Sequence, residues 1–508
     1  MNTTVLILLI LLIIYVPLWF FVWKHPSALR YGLEKYGPTI KINSKLGMRF
    51  MDRFGRYKRF WRAFGLFSQI VSFMLMVMMV YIMVVAVLRL PSTFGQSKLG
   101  VEYVLAIPGL NPLLPLWYSL LGLIVAMVCH ELAHGLQSRS NDIEVEHTGL
   151  LYAVVPLGAF VEPNNDQVEK SSRRAKIDLY TAGITTNFVL AAISFLLFST
   201  VMLGGISSPY NDNCAVYQVA VDYGEDNLPA GAIVTEINAE PFVFDKNYYK
   251  VSESPYTWGA GTSQTVTYQM SDGTHTQDMY WGVYILKTVD GGPAVGLDKT
   301  WINSITYEGE DYTFYTSQGF TSFMAITEPG KTATVHYTKE SDYSTDSLTV
   351  TLGSKGSIGY LGVYTTTSGM GLITPGEIIE RGSNPLYGAT GIMDAGTALL
   401  SYIAQPLRGF DPIPTNLQWW YGEGDGFWIL AHALYWIFWL NIMLGITNAL
   451  PAYPFDGGYT LLGWMDALYE KLGVKDAEER RKKAEEITKN ISTLMLFMFM
   501  LVIIAAII

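Results

Sequence analysis

The sequence predicts an α-helical polytopic membrane protein with an inserted, mainly β extracytoplasmic domain. Three observations carry that expectation. Half of the 508 residues are hydrophobic and only 15% are charged, and the apolar residues are gathered into runs of about twenty, the length a helix needs to cross a bilayer. Basic residues concentrate between particular runs. A long central stretch rich in Thr, Tyr, Val, Ser and Gly alternates with period two, as strands do. Disorder, a fibrous repeat and a simple cytosolic enzyme are excluded by this segregation. No domain-sized basic face is present, so no nucleic-acid partner is expected. Cys129 and Cys214, the two cysteines, cannot build a disulfide framework or a Cys-based zinc site.

About six transmembrane helices are expected: Thr4–Trp23, Phe67–Leu88, Leu116–Gln137, Tyr180–Leu203, Phe427–Leu450 and Ile491–Ile508. The first lacks the basic flank and small-residue cleavage site of a signal peptide. Between Lys24 and Leu66 eleven Lys/Arg face two acids, Glu34 and Asp52, which makes that loop cytoplasmic and the amino terminus external. The remaining connections agree in sign. The loop from Leu90 to Pro115 is external with only Lys98. Residues 204–426 are external with nine basic against twenty-five acidic residues, and Lys471–Lys489 is internal with seven basic residues.

The organisation that follows is 1–90, two helices joined by a basic cytoplasmic loop; 115–204, the first half of a membrane core; 205–385, a β domain; 386–426, a linker with an amphipathic helix over Thr390–Leu407; 427–470, the second half of the core; and 471–508, a basic segment and the last span. Within the β domain, Leu228–Asn238 and Gly296–Ile305 look alike. Each resembles the middle of a PDZ domain, a turn followed by a strand ending near Asn. The glycine-rich carboxylate-binding loop of such domains is not obvious, and one or two PDZ-like units remain open.

The third span ends in Cys129-His-Glu-Leu-Ala-His134. His130 and His134 are four apart and share a helix face, so both imidazoles can bind one Zn²⁺ at about 2.0–2.1 Å. Glu131, next round the helix, can reach the attacking water as general base. Ionisable groups inside a span are costly and mark function. A third ligand is required with one position left open. His25, His147, His275, His336 and His432 are poorer candidates than Asp456, which follows the fifth span on the same cytoplasmic side as the end of the third. The chemistry expected is zinc-dependent peptide hydrolysis.

These residues carry a resemblance. His130-Glu-Leu-Ala-His134 with Asp456-Gly457 is similar to the site-2 protease family of intramembrane zinc metalloproteases, as are Pro156-Leu-Gly-Ala-Phe-Val-Glu162 and the Gly183-Ile-Thr-Thr-Asn187 helix. The likeness covers about 115–205 and 427–468. Ile184 stands where many bacterial members have Pro and Phe455 where they have Leu, and the form is closer to the eukaryotic and archaeal-type branch. The resemblance implies one catalytic Zn²⁺ held by His130, His134 and Asp456, Glu131 as the base, and Asn187, Asn448 and the Gly158-Ala159-Phe160 segment as substrate-binding. Asn187 bridging helices and Asn448 capping one are the alternatives. It further implies transmembrane protein substrates within a lipid bilayer. The acidic exterior and the missing Cys-rich region fit a prokaryotic, archaeal cell membrane, with the amino terminus and PDZ-like domain outside and the zinc site towards the cytoplasm. Two other functions compete: a membrane-anchored zinc peptidase acting on peptides at the cytoplasmic face, and a non-catalytic PDZ-type scaffold.

Overall fold

A computed structural model describes residues 3–93, 103, 107–154, 156–220, 227–408 and 413–507. The chain forms two compact units, one of Met1–Val201, Leu400–Phe410 and Ile429–Ile508, the other of Met202–Leu399 and Asp411–Trp428. Lys98 of the expected external loop lies outside the described residues.

Among the described residues the α-helices are, in order, α1 (Thr3–Lys24), α2 (Met48–Gly55), α3 (Lys58–Thr93), α4 (Leu116–Ser140), α5 (Asn165–Lys170), α6 (Arg173–Leu196), α7 (Ser317–Met324), α8 (Pro375–Ser383), α9 (Ile392–Ile403), α10 (Asp425–Asn448), α11 (Asp456–Lys471) and α12 (Ala477–Ile507). Among the described residues five helical stretches are long and apolar enough to cross a membrane: Lys58–Pro91, Leu116–Ser140, Arg173–Gly205, Asp425–Asn448 and Ala477–Ile507. The first of the six expected spans is helical as α1, but its stretch Leu9–Lys24 forms a shorter apolar helix than those five. The last expected span is continuous with the charged segment before it, both lying on α12. The expected linker helix is found as α9.

The helices of the first unit pack by small-residue contact. The buried face of α4 carries Ser119, Gly122, Ala126, His130, Ala133, His134 and Gln137, one stripe at helical spacing that lets a neighbouring backbone approach. A four-stranded antiparallel sheet accompanies them, β1 (Leu33–Tyr36), β2 (Thr39–Ser44), β3 (Val145–Tyr152) and β4 (Pro156–Pro163), in that order. The basic loop thus folds into a hairpin around Gly37, whose φ is +58°. Ile40 of that hairpin is fully buried, and Lys41 reaches Glu162 of β4 at 2.7 Å.

The second unit holds one branched sheet built from β5 (Cys214–Val219), β6 (Ile233–Ile237), β7 (Glu240–Pro241), β8 (Tyr249–Lys250), β9 (Thr262–Met270), β10 (Gly273–Trp281), β11 (Val283–Thr288), β12 (Thr300–Tyr307), β13 (Glu310–Thr313), β14 (Thr332–Lys339), β15 (Thr345–Thr351), and, after the hairpin β16 (Gly353–Lys355)–β17 (Ile358–Tyr360), β18 (Val363–Thr367) and β19 (Met370–Ile373). Two separate cores lie on it. Val234, Ile237, Phe242, Val266 and Trp281 anchor one; Ile302, Ile305, Phe314, Phe323 and Val335 anchor the other. The two look-alike stretches supply one strand to each core, β6 and β12. Each strand runs into a left-handed turn, Asn238-Ala239 and Glu308-Gly309, and then into a short antiparallel partner, β7 and β13. In the second core α7 lies along β18: the Ser317 N–H donates to Thr367 Oγ1 at one end (2.9 Å), and Gly359 N–H donates to the Thr327 carbonyl beyond the other (2.9 Å). β18 pairs with β11 along its length but with β19 only at Thr367.

Thr374 caps the start of helix α8: its Oγ1 accepts from Glu377 N–H. Burial opposes ionisation of Glu377, but hydrogen bonds from Lys246 (3.0 Å), Tyr387 (2.9 Å) and Arg381 (2.6 Å) hold its carboxyl below the ordinary glutamate value. A depressed folded-state value means stability that is present above the unfolded pKa and is lost as pH falls through the folded one. Glu377→Ala is expected to destabilise the second unit by about 1–3 kcal/mol at pH 7. It should also blunt the loss of stability on acidification below about pH 4; urea unfolding of the full chain followed by tryptophan fluorescence at several pH values measures both.

Candidate metal centre

Pro115 precedes α4 and Asn141 ends it, so the helix carries His130, Glu131 and His134 in its last three turns. α10 stops at Asn448 because Pro451 cannot continue it, and the chain turns through 449–455 into α11, whose first residue is Asp456. Gly457 and Gly458 lie in the first turn of α11 and give room there: a Cβ on Gly457 would stand 2.3 Å from the Leu450 carbonyl, and one on Gly458 2.7 Å from Ala452 C. The helix start therefore presses against its own entry loop and directs Asp456 at α4.

His130 Nε2 and His134 Nε2 lie 3.0 and 3.2 Å from Asp456 Oδ2. Among the described residues this is the only group of three or more His, Cys, Asp or Glu side chains placed to hold one ion. Ligands about 2.0–2.1 Å from a tetrahedral ion are about 3.3 Å apart, so the spacing suits zinc. The donor chemistry agrees. Each Nδ1 is engaged, that of His134 donating to the Leu179 carbonyl at 2.8 Å and that of His130 facing Asn187 Oδ1 at 3.2 Å. Both Nε2 lone pairs are thereby left for a cation. Asp456 Oδ2 is buried without a hydrogen-bond donor, which an ion bound there would satisfy. Both imidazoles are more than nine-tenths buried.

Glu131 points to the same place. Its Oε2 accepts the Val161 N–H of β4 at 2.9 Å, and with His134, Val161, Tyr180 and Asp456 it lines a pocket of about 200 Å³. The other expected site residues divide. Asn187 is fully buried and bridges helices, touching His130 and, at 3.5 Å, the Ala126 carbonyl. Asn448 donates to the Leu444 carbonyl of its own helix at 3.1 Å. Gly158, Ala159 and Phe160 lie on β4, the outermost strand of its sheet.

Gly183 was missed. A Cβ there would stand 2.5 Å from His134 Nε2 and 2.7 Å from His130 Nε2, so only glycine lets α6 close over the imidazoles. The signal was the spacing of Gly183 and Asn187, one turn apart and hence on one face. Leu179, whose carbonyl orients His134, left no signal, because any residue supplies a carbonyl.

A buried two-imidazole, one-carboxylate donor set beside a second carboxylate, Glu131, carried on helices long enough to span a bilayer, defines a membrane-associated metallohydrolase. The model of peptidase family M50, the site-2 protease family, matches residues 118–503, and the chain belongs to that family of membrane-associated metalloproteases. It is also similar to an uncharacterized protein of Methanocaldococcus jannaschii, 27% identical over 192 residues, which are 37% of this chain and 51% of that protein. The match thus spans about half of that relative.

Gly183→Ala is expected to cost most of the bound metal while the helical content is kept, and Asn187→Ala to weaken binding about 10- to 100-fold. Metal analysis of purified protein against circular dichroism measures both.

Proposed function

We propose that the chain is an intramembrane zinc metalloprotease that cleaves a peptide bond within transmembrane segments of membrane proteins. The observation that carries this reading is the convergence of His130, His134 and Asp456 with Glu131 on apolar helices. Zn²⁺ held by the three ligands supplies Lewis acidity for hydrolysis. Glu131 is the general base. Val161 N–H fixes one of its carboxylate oxygens, and the other takes the proton of the attacking water and returns it to the leaving amine nitrogen. His130 and His134 keep their orientation through Asn187 and the Leu179 carbonyl. Asn187 serves the imidazole rather than the oxyanion on this reading, and Asn448 caps α10.

A substrate helix has its peptide groups satisfied internally, and freeing them in lipid costs several kcal/mol each. The free edge of β4 offers replacements by strand addition. Since Val161 N–H points away from β3, period two puts Ala159 on that same edge and turns the main-chain groups of Gly158 and Phe160 towards β3. Ala159 therefore bonds the unwound substrate. The two-core β unit takes an extended peptide end on the external side. The α7–β18 arrangement, with Gly359-Tyr-Leu-Gly362 leading into β18 and Gly362 at φ +77°, supports a PDZ-like groove there. The charge pattern of the loops supports an external amino terminus and a cytoplasmic-facing site.

Glu131→Gln should retain zinc and lower cleavage of a membrane-embedded reporter by at least about 10²-fold, whereas Asp456→Ala should lose the metal as well. Reconstitution in vesicles with product detection by mass spectrometry decides it: full activity in Glu131→Gln removes the base assignment. Full zinc in Asp456→Ala favours a peptidase with a different third ligand.

A further inference from the structure

A second, larger cavity of about 710 Å³ lies between α5, α6, α11 and the start of α12, within the range of ligand pockets. It adjoins the metal-site pocket, for Asn165, Val168 and Tyr180 line both. Tyr180 stacks on Tyr459 at 4.7 Å where they meet. The wall is charged. Arg173, Lys176, Arg480 and Arg481 line it beside Glu169 and Asp466, and Glu470 and Glu485 pair with the arginines from outside the lining.

These cations are not equivalent. Arg173 and Arg480 share Asp466 at 3.1 and 2.7 Å and both approach Glu470, a network that ties α6, α11 and α12 together. Lys176 donates to the Glu169 carbonyl oxygen at 2.8 Å rather than to a carboxylate. Arg481 reaches Glu169 only at 3.9 Å and otherwise pairs with Glu485 one turn along its own helix. Lys176 and Arg481 are thus the charges that can turn to a ligand, and they stand on opposite walls, α6 and α12. We propose that this cleft receives the flank of the substrate polypeptide that continues past the scissile bond on the side where the metal site opens, and that it selects an acidic flank. This rests on the proteolytic reading above. Most spans carry Lys or Arg on their cytoplasmic flank, which the wall repels, so the cleft discriminates among otherwise similar apolar helices.

The test uses the full-length protein in vesicles and two reporters identical in span and cleavage site, differing only in four flanking residues, all Asp/Glu or all Lys. The parent protein should show a kcat/KM ratio of roughly three- to tenfold in favour of the acidic reporter, as expected of two part-exposed charges, shrinking as salt is raised. Lys176→Glu combined with Arg481→Glu should bring the ratio to one or below. A parent ratio near one, or an unchanged ratio in a double variant that retains zinc, overturns the proposal. Lys176→Gln with Arg481→Gln repeats the test if the charge reversal fails to fold. Binding of labelled acidic and basic flank peptides to the Glu131→Gln protein, followed by fluorescence anisotropy, reads the cleft without catalysis. Equal affinities overturn the cleft assignment. Tighter acidic binding with neither reporter cut sustains the cleft while the proteolytic reading fails.

Discussion

Three lone-pair donors aimed at one point in an apolar interior are a source of repulsion unless a cation stands between them. Around His130, His134 and Asp456 the protein has removed the other exits. Both Nδ1 atoms are committed, and Asp456 Oδ2 has no donor of its own. Burying a charge without a partner costs far more than a helix contact returns. Every nearby structural choice serves this convergence: the small-residue stripe of α4, the absent side chain at Gly183, the break after Asn448 and the two glycines that let α11 begin against its entry loop.

The site was legible in the sequence where chemistry forces a spacing. Two histidines four apart with Glu131 between them can be read from the helix period, and Asp456 followed from the side of the membrane on which the third and fifth spans end. What escaped was the part supplied by backbone or by empty space. A carbonyl at Leu179 and an N–H at Val161 have no sequence signature, and a glycine reads as flexibility until its neighbour is known. Asn187 entered through the likeness of the Gly183–Asn187 helix to the family's motif; a substrate ligand and a histidine partner need the same amide, and only position separates them.

The fold was legible to a similar depth. Apolar runs located the five long helices to within a turn or two at most ends, because lipid imposes length. The basic loop between α1 and α3 was read as a connection, and the reason is instructive. Its hairpin, β1–β2, is held by pairing with β3 a hundred residues away, and its own alternation spans only a few residues around Ile40 and Ile42. The period-two signal of the β unit was clear, whereas its division into two cores was visible only in the look-alike stretches that became β6 and β12.

On the proposed reading, the contact between Glu131 and Val161 links cleavage to substrate unwinding. β4 spends the Val161 N–H on the base, so the ladder that an added strand can form along that edge is interrupted there and nowhere else by a side chain of the site. A substrate pairing at Ala159 is then carried two residues on to the point where strand pairing gives way to Glu131. Its next peptide group meets a carboxylate instead of a strand donor. A segment still wound as a helix keeps its main-chain groups to itself and cannot reach this position. On the proposed reading the strand edge and the base are one device, joined by the Val161–Glu131 hydrogen bond, and that bond would require a substrate to unwind before it is cut.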